Sequence, residues 1–255
     1  NLRRDKFNLF TTTTFRNNEG PGNGFNNQEN FDENGQTLSF QDEKRLYLRD
    51  NTNFNTNLGL EFFIDETSSI TNSVVFGNSN GGTRTEVDFN NYNAERILSL
   101  SRERISVETE TDNNFQYSVN YQKKFKKDGH LLTADYQYST GDEFEDAEIF
   151  ETILQDNSYL PTERTSTTEN QKNQLIQADY VLPFGSENQS QFELGYRGTF
   201  NEFTTAFDFS VENTSGNFIS DPNFSNTLFY KEYVQAAYTQ LGSKWDSFSL
   251  LTGLR

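Results

Sequence analysis

The chain has a single histidine, His130, and no cysteine. Zinc–thiolate sites, disulfides, cysteine nucleophiles and multi-histidine metal sites are therefore excluded, and any Ser–His–acid arrangement has to use His130. His130 follows a short turn at the start of a strand-like run, where a solvated residue is the plainer reading. Asp142, Glu143, Glu145, Asp146 and Glu148 offer hard oxygen ligands that suit calcium, without EF-hand spacing. A solvated acidic loop is the plainer reading. Lys123, Lys124, Lys126 and Lys127 are the one basic run. They flank a short turn and suit either phosphate headgroups or a plain solubilising turn. No glycine loop of nucleotide-binding pattern occurs. No catalytic, cofactor-binding or metal residue is assigned, and the ligand-binding residues are not legible.

The elements that position these residues are limited by composition. The 255 residues carry 38 Asp+Glu against 21 Lys+Arg, a net charge of −17. Such a chain is a poor nucleic-acid binder, because phosphate recognition needs clustered Lys and Arg. It holds no Met and starts at Asn1, so the expectation is a processed or trimmed N-terminus, with any signal peptide upstream. Mean hydropathy is −0.85, which alone leans towards disorder, but 15% of the residues are aromatic, and disordered chains are poor in aromatics. No apolar run reaches the length of a transmembrane helix. A transmembrane β-barrel stays open, since its strands alternate apolar and polar residues and look soluble on average.

That alternation is present. In residues 53–64, Phe54, Thr56, Leu58, Leu60, Phe62 and Ile64 share one face, while Asn53, Asn55, Asn57, Gly59 and Glu61 share the other, as a period of two requires. Similar runs cover 5–16, 68–78, 113–125, 130–140, 172–184, 190–201 and 229–241, and a ninth begins at Phe248. In 229–241 the apolar side reads as Val234, Ala236 and Tyr238. Polar residues such as Glu61, Asp135, Asp179, Glu193 and Arg197 fall on the wet face, where they line a pore, contact a plug or pair between strands.

Connections alternate in length. Short ones lie near 65–67, 126–129, 185–188 and 242–246; long ones span about 17–46, 79–112, 141–170 and 202–228. Outer-membrane barrels have this asymmetry, with short periplasmic turns and long extracellular loops. Within the long connections, 143–154 fits a short amphipathic helix, 93–107 fits helix or strand, and 20–35, without periodicity, is expected to be mobile. Phe62, Phe63, Phe125, Phe184, Trp245 and Phe248 cluster by the short turns, as in an aromatic girdle; ordinary strand-end aromatics are the alternative. The fold class expected is all-β: an antiparallel transmembrane barrel, of which the chain supplies about nine strands.

With these strands in place the sequence resembles the barrel region of the TonB-dependent receptors of Gram-negative bacteria. The resemblance is carried by LGLEFFIDETSSIT (58–71), YSVNYQKKFKKDGHLLTADYQYS (117–139), QLIQADYVLPFGSENQSQFELGYRGTF (174–200) and YKEYVQAAYTQLGSKWDSFSLLTGLR (230–255). It implies a location in the bacterial outer membrane, import of a scarce nutrient driven through TonB, and a 22-stranded barrel closed by an N-terminal plug. Nine strands, no plug, no TonB box and a last residue, Arg255, in mid-strand are expected of residues 1–255 as one partial barrel domain. The partners implied are outer-membrane lipid, the TonB complex through the missing plug, and an unidentified small-molecule or oligomeric ligand, with no nucleic acid and no cofactor. The alternatives are a barrel without energised uptake (a passive porin or an adhesive barrel) and a soluble secreted β-protein. An enzyme is the least supported.

Overall fold

The computed structural model describes residues 1–185, 190–245 and 248–254. Among them there is no helix. The nine alternating runs are nine long strands: β2 (Phe7–Phe31), β3 (Thr37–Asp65), β4 (Ser68–Asn93), β5 (Leu98–Lys124), β6 (Leu131–Ile153), β8 (Glu163–Phe184), β9 (Ser190–Glu212), β11 (Asn226–Trp245) and β12 (Phe248–Leu254). Three short strands accompany them: β1 (Leu2–Arg4), β7 (Ser158–Tyr159) and β10 (Phe218–Ser220). All belong to one antiparallel sheet in the order β1-β2-β3-β4-β5-β6-β8-β9-β11-β12, with β7 added to β6 and β10 to β9. Chain order and spatial order agree, as in an up-and-down meander. Among the described residues the two sides of the sheet do not meet. Among them, most of β2's outer edge and the side of β11 away from β9 over 226–238 lack a neighbour.

The register gives the sheet two chemically distinct faces. Cross-strand partners Phe7, Phe62, Ile70 and Tyr121 lie in one row, and Leu9 and Leu60 pair in the next. On β9 the same face carries Phe192, Leu194, Tyr196 and Phe200. One expectation is overturned on β11. Tyr233, Ala237 and Leu241 pair with Phe200, Tyr196 and Phe192, so the odd-numbered residues share the apolar face. Val234, Ala236 and Tyr238 lie on the polar face. Tyr238 lies over its cross-strand partner Gly195, where an added Cβ would meet the ring at 2.0 Å. The glycine is what lets the phenol lie flat there.

Among the described residues only two hydrophobic ones, Val87 and Ala147, are buried, and no large side chain is fully buried. Leu58, Ile64 and Leu194 are each half exposed or more. The apolar residues thus line a surface instead of filling a core, which in water would be a large exposed patch of the kind that marks an interaction surface.

The long connections are also corrected. They are mostly strand, and residues 143–153 of the helix expected at 143–154 are the outer part of β6, paired with β5 on one side and with β8 and then β7 on the other. Residues 98–107 are strand, and residues 20–31 continue β2 instead of forming a mobile loop. Backbone N–H and C=O groups must pair whether or not side chains alternate, and two strands already held together near the short turn continue to pair beyond it. Pro21 is tolerated because β2 lies at the sheet edge, where a missing donor costs little. The true reversals are small: 32–36, 93–97, 154–157 and 213–217.

Candidate functional site: the polar wall and its acidic rim

Two aromatic rows bracket the apolar face. Near the short turns lie Phe7, Phe62, Phe125, Tyr180, Trp245 and Phe248. At the other limit lie Phe15, Phe54, Phe76 and Phe115, followed across the sheet by Phe200 and Tyr233; the Phe54–Phe76 and Phe200–Tyr233 centroids are 6.5 and 5.7 Å apart. From Phe54 to Phe62 the strand rises about 27 Å, and a barrel-like tilt reduces that to roughly 20 Å. Just beyond the upper row the same face turns charged: Lys231, Glu202 and Lys172 are cross-strand partners, and the first two are bonded at 2.9 Å. Glu202 is held below its usual range, mainly by the Lys231 and Tyr233 hydrogen bonds.

Behind this band the opposite face is a wall of amides, hydroxyls and carboxylates. Glu61, Asp135, Asp179, Glu193 and Arg197, singled out from the sequence, all lie on it. Inter-strand pairing accounts for most of the acids. Asp135 accepts from Asn120 Nδ2 at 2.6 Å, Asp179 from Tyr238 Oη and Gln177 Nε2 at 2.7 Å each, and Glu61 from Asn8 Nδ2 at 3.5 Å. Arg197 has no ion pair among the described residues. It lines a groove of about 610 Å³ with Gln177, Asp179, Tyr238 and Gln240.

Above the wall, beyond the upper aromatic row, a second groove of about 330 Å³ is lined by Asp112, Glu143, Glu169, Gln171 and Phe203. Asp112, Glu143 and Glu169 are consecutive cross-strand partners, and Glu110 faces Glu145 in the next row. The nearest oxygens of Glu110, Asp112 and Glu143 lie within 4.8 Å of one another, a spread that a cation could bridge. Among the described residues none of these carboxylates has a basic partner. Partial burial first, then mutual repulsion, raises the pKa of Glu110, Glu143 and Glu145. The acidic cluster read from the sequence is therefore split. Glu143 and Glu145 join this rim, whereas Asp142, Asp146 and Glu148 alternate to the other face.

A sequence model of the outer membrane protein beta-barrel family matches residues 123–255, just over half of the chain. The chain belongs to that family. It is a β-barrel protein of the bacterial outer membrane, so the apolar band faces lipid and the polar wall faces the lumen. No curated protein matches the sequence. Among solved structures the chain is similar to the ferric yersiniabactin uptake receptor FyuA from Yersinia pestis, at 8% identity and a TM-score of 0.37 over 96% of this chain. It spans 41% of that receptor's length. Outer membrane protease OmpT from Escherichia coli gives 9% identity and a TM-score of 0.15, covering 92% of this chain and 96% of that one.

In the family's frame, short turns face the periplasm and the strand extensions project outside. His130 lies at the periplasmic boundary on the lipid side. Its ring stacks on Phe125 at 4.0 Å and its Nε2 contacts Tyr180 Oη at 2.9 Å. Lys123 is committed to Asp65, Thr67 and Ser68. The expected turn at 185–188 lies outside the described residues beyond Gly185; of the turn expected at 242–246, residues 242–245 belong to β11, which ends at Trp245, and Asp246 lies outside the described residues, as does Arg255. What sequence reasoning missed is the turn chemistry at the outer tips. Asp32, Asn93 and Asn213 each use Oδ1 to accept the N–H groups two and four residues on. The residue three on is left-handed in each: Gly35, Arg96 and Gly216. The spacing Asp/Asn-x-x-Gly was visible in two of the three.

Proposed function

We propose that residues 1–255 form part of the barrel wall of a TonB-dependent receptor that imports a scarce nutrient across the outer membrane, its plug and remaining strands lying elsewhere in the same protein. The observation that carries the proposal is the open sheet. Among the described residues the nine main strands leave most of both lateral edges unpaired, and each unpaired backbone group in hydrocarbon costs several kcal/mol. Further strands therefore complete the wall, giving a barrel wider than nine strands make. Wide barrels hold an aqueous channel or, at about 22 strands, a plugged lumen. The continuous lumenal wall of amides and carboxylates suits contact with a plug and with a polar ligand, and the tall outer hairpins form a collar for capturing it. On this reading the chain is a non-catalytic binding and transport wall, coupled to TonB through the plug.

The test is to sequence the coding DNA on both sides of the segment. The expected result is a plug-like domain with a TonB-contact motif upstream and roughly a dozen further alternating strands downstream, ending in Phe or Trp. Further strands without a plug would favour a passive barrel. A signal peptide just before Asn1 and a stop codon just after Arg255 would overturn the proposal.

A further inference from the structure

The four-lysine run lies at the periplasmic boundary, where Lys126 and Lys127 sit in the turn that follows the lipid-facing Phe125. The loop between β5 and β6 is closed by Phe125 N–H to His130 C=O at 2.9 Å and His130 N–H to Lys127 C=O at 3.0 Å, with Gly129 at φ 76°. This holds Lys126 and Lys127 in a closed turn between Phe125 and His130, two members of a ring cluster. Phe125, His130 and Tyr180 share the lipid side, with Tyr180 edge-on to both other rings. Of the four lysines, Lys123 is taken up by Asp65. Lys124, Lys126 and Lys127 have no ion pair among the described residues, and Asp128 is the carboxylate in their own loop. Toward the membrane, the next lipid-facing row reads Tyr121, Ala134, Ala178, Tyr196. Two methyl groups between two phenols make a shallow track that starts at the rings and runs into the apolar band.

We propose that this patch binds an acidic glycerophospholipid of the periplasmic leaflet, its phosphate held by Lys126, Lys127 and the His130–Tyr180 pair and an acyl chain lying over Ala134 and Ala178. The chemistry is specific in two respects. Ammonium groups without an ion pair among the described residues, carried by the turn that ends at His130, attract a phosphate and repel the amine or choline of a zwitterionic headgroup. The continuity of the patch with the lipid-facing track selects a lipid over a free anion. Basic groups at a membrane surface attract anionic lipid, and the attraction falls with salt.

The test uses the full outer-membrane protein, purified in detergent and examined by native mass spectrometry after exchange with phosphatidylglycerol or phosphatidylcholine. Wild type should retain phosphatidylglycerol in clear preference to phosphatidylcholine, and retention should fall at high salt. The Lys126→Gln, Lys127→Gln double variant should lose about tenfold in retention. Its folding is checked by heat-dependent gel mobility, and the wild-type salt series reads the same interaction without any substitution. Inorganic phosphate at millimolar concentration should not displace the lipid. Equal retention of the two lipids, salt-independent retention, an unaltered folded variant, or displacement by inorganic phosphate would each overturn the proposal.

Discussion

Asp65 shows what one side chain does in a three-residue turn. Its Oδ1 accepts the Thr67 hydroxyl and backbone N–H, both at 2.7 Å, and its Oδ2 accepts Ser68 Oγ at 3.0 Å and Lys123 Nζ at 3.2 Å. These donors, the Thr67 hydroxyl first, hold its pKa far below the usual carboxylate range. A carboxylate whose folded pKa is depressed contributes stability above its unfolded pKa, near 4, and that stability is lost as pH falls through the folded value. Asp65→Asn should therefore lower the urea midpoint at neutral pH, with a deficit that shrinks in strong acid; a deficit of constant size at every pH would refute this account. The outer tips obey a different residue-level rule. Asn93 Oδ1 takes the N–H groups of Glu95 and Ile97 at 3.1 and 2.9 Å, so Asn93→Ala should destabilise that tip by about 1 kcal/mol. Hydrogen exchange of those two amides should accelerate several-fold, and unchanged protection would show that the side chain does not hold the tip.

At the scale of elements, β11 separates what the sequence carried from what only pairing decides. In β3 the apolar and polar sets are chemically unlike, Leu58 and Leu60 against Asn57 and Glu61, so its faces were legible from periodicity. In β11, Tyr233 and Tyr238 suit either environment and alanines occupy both faces. Its phase comes instead from the register with β9, which puts Tyr238 against Gly195 and Asp179. This yields a test. Ala237, opposite Tyr196 near the middle of the apolar band, should cost about 2–4 kcal/mol on replacement by Arg, the range for a lipid-facing charge at the midplane. Ala236→Arg faces the wet lumen and should cost less than about 1 kcal/mol, even beside Arg197. Urea titration in lipid vesicles distinguishes the two, and the reverse order would restore the sequence-based assignment. The outer halves of the strands were illegible for a related reason. Beyond Phe54 and Phe115 both faces meet water, alternation ceases, and only the backbone ladder continues. The acidic rim was half legible: Glu143 and Glu145 stood out, but Glu110 and Asp112 reach them only through the β5–β6 pairing.

Over the whole molecule, charge is segregated along the strands. The stretches beyond the upper aromatic row, 17–52, 78–113, 141–171 and 201–232, hold 28 of the 38 acidic residues and 9 of the 21 basic ones, while the remainder is slightly basic. The net charge of the protein is thus a property of its outer collar, concentrated where partial burial and neighbouring carboxylates raise the pKa of Glu110, Glu143 and Glu145. For a carboxylate whose folded pKa is raised, the repulsion is complete above that value and vanishes below the unfolded pKa, near 4.3. Glu143→Gln should stabilise the protein at neutral pH, with a gain that disappears as pH falls towards 4. A gain independent of pH in thermal unfolding would point to packing instead. The same collar sets a field at the mouth. Clefts lined by one sign of charge concentrate counter-ions and exclude co-ions, and screening suppresses both effects once the Debye length falls below the cleft width. Reconstituted protein should therefore adsorb a cationic fluorophore faster than an anionic one of equal size at low salt. The ratio of the two rates should fall towards one as salt rises to about 1 M, where the Debye length is near 3 Å. Equal rates at low salt would show that the collar's charge is neutralised by bound ions, and the outer hairpins would then recognise ligands by shape and hydrogen bonding alone.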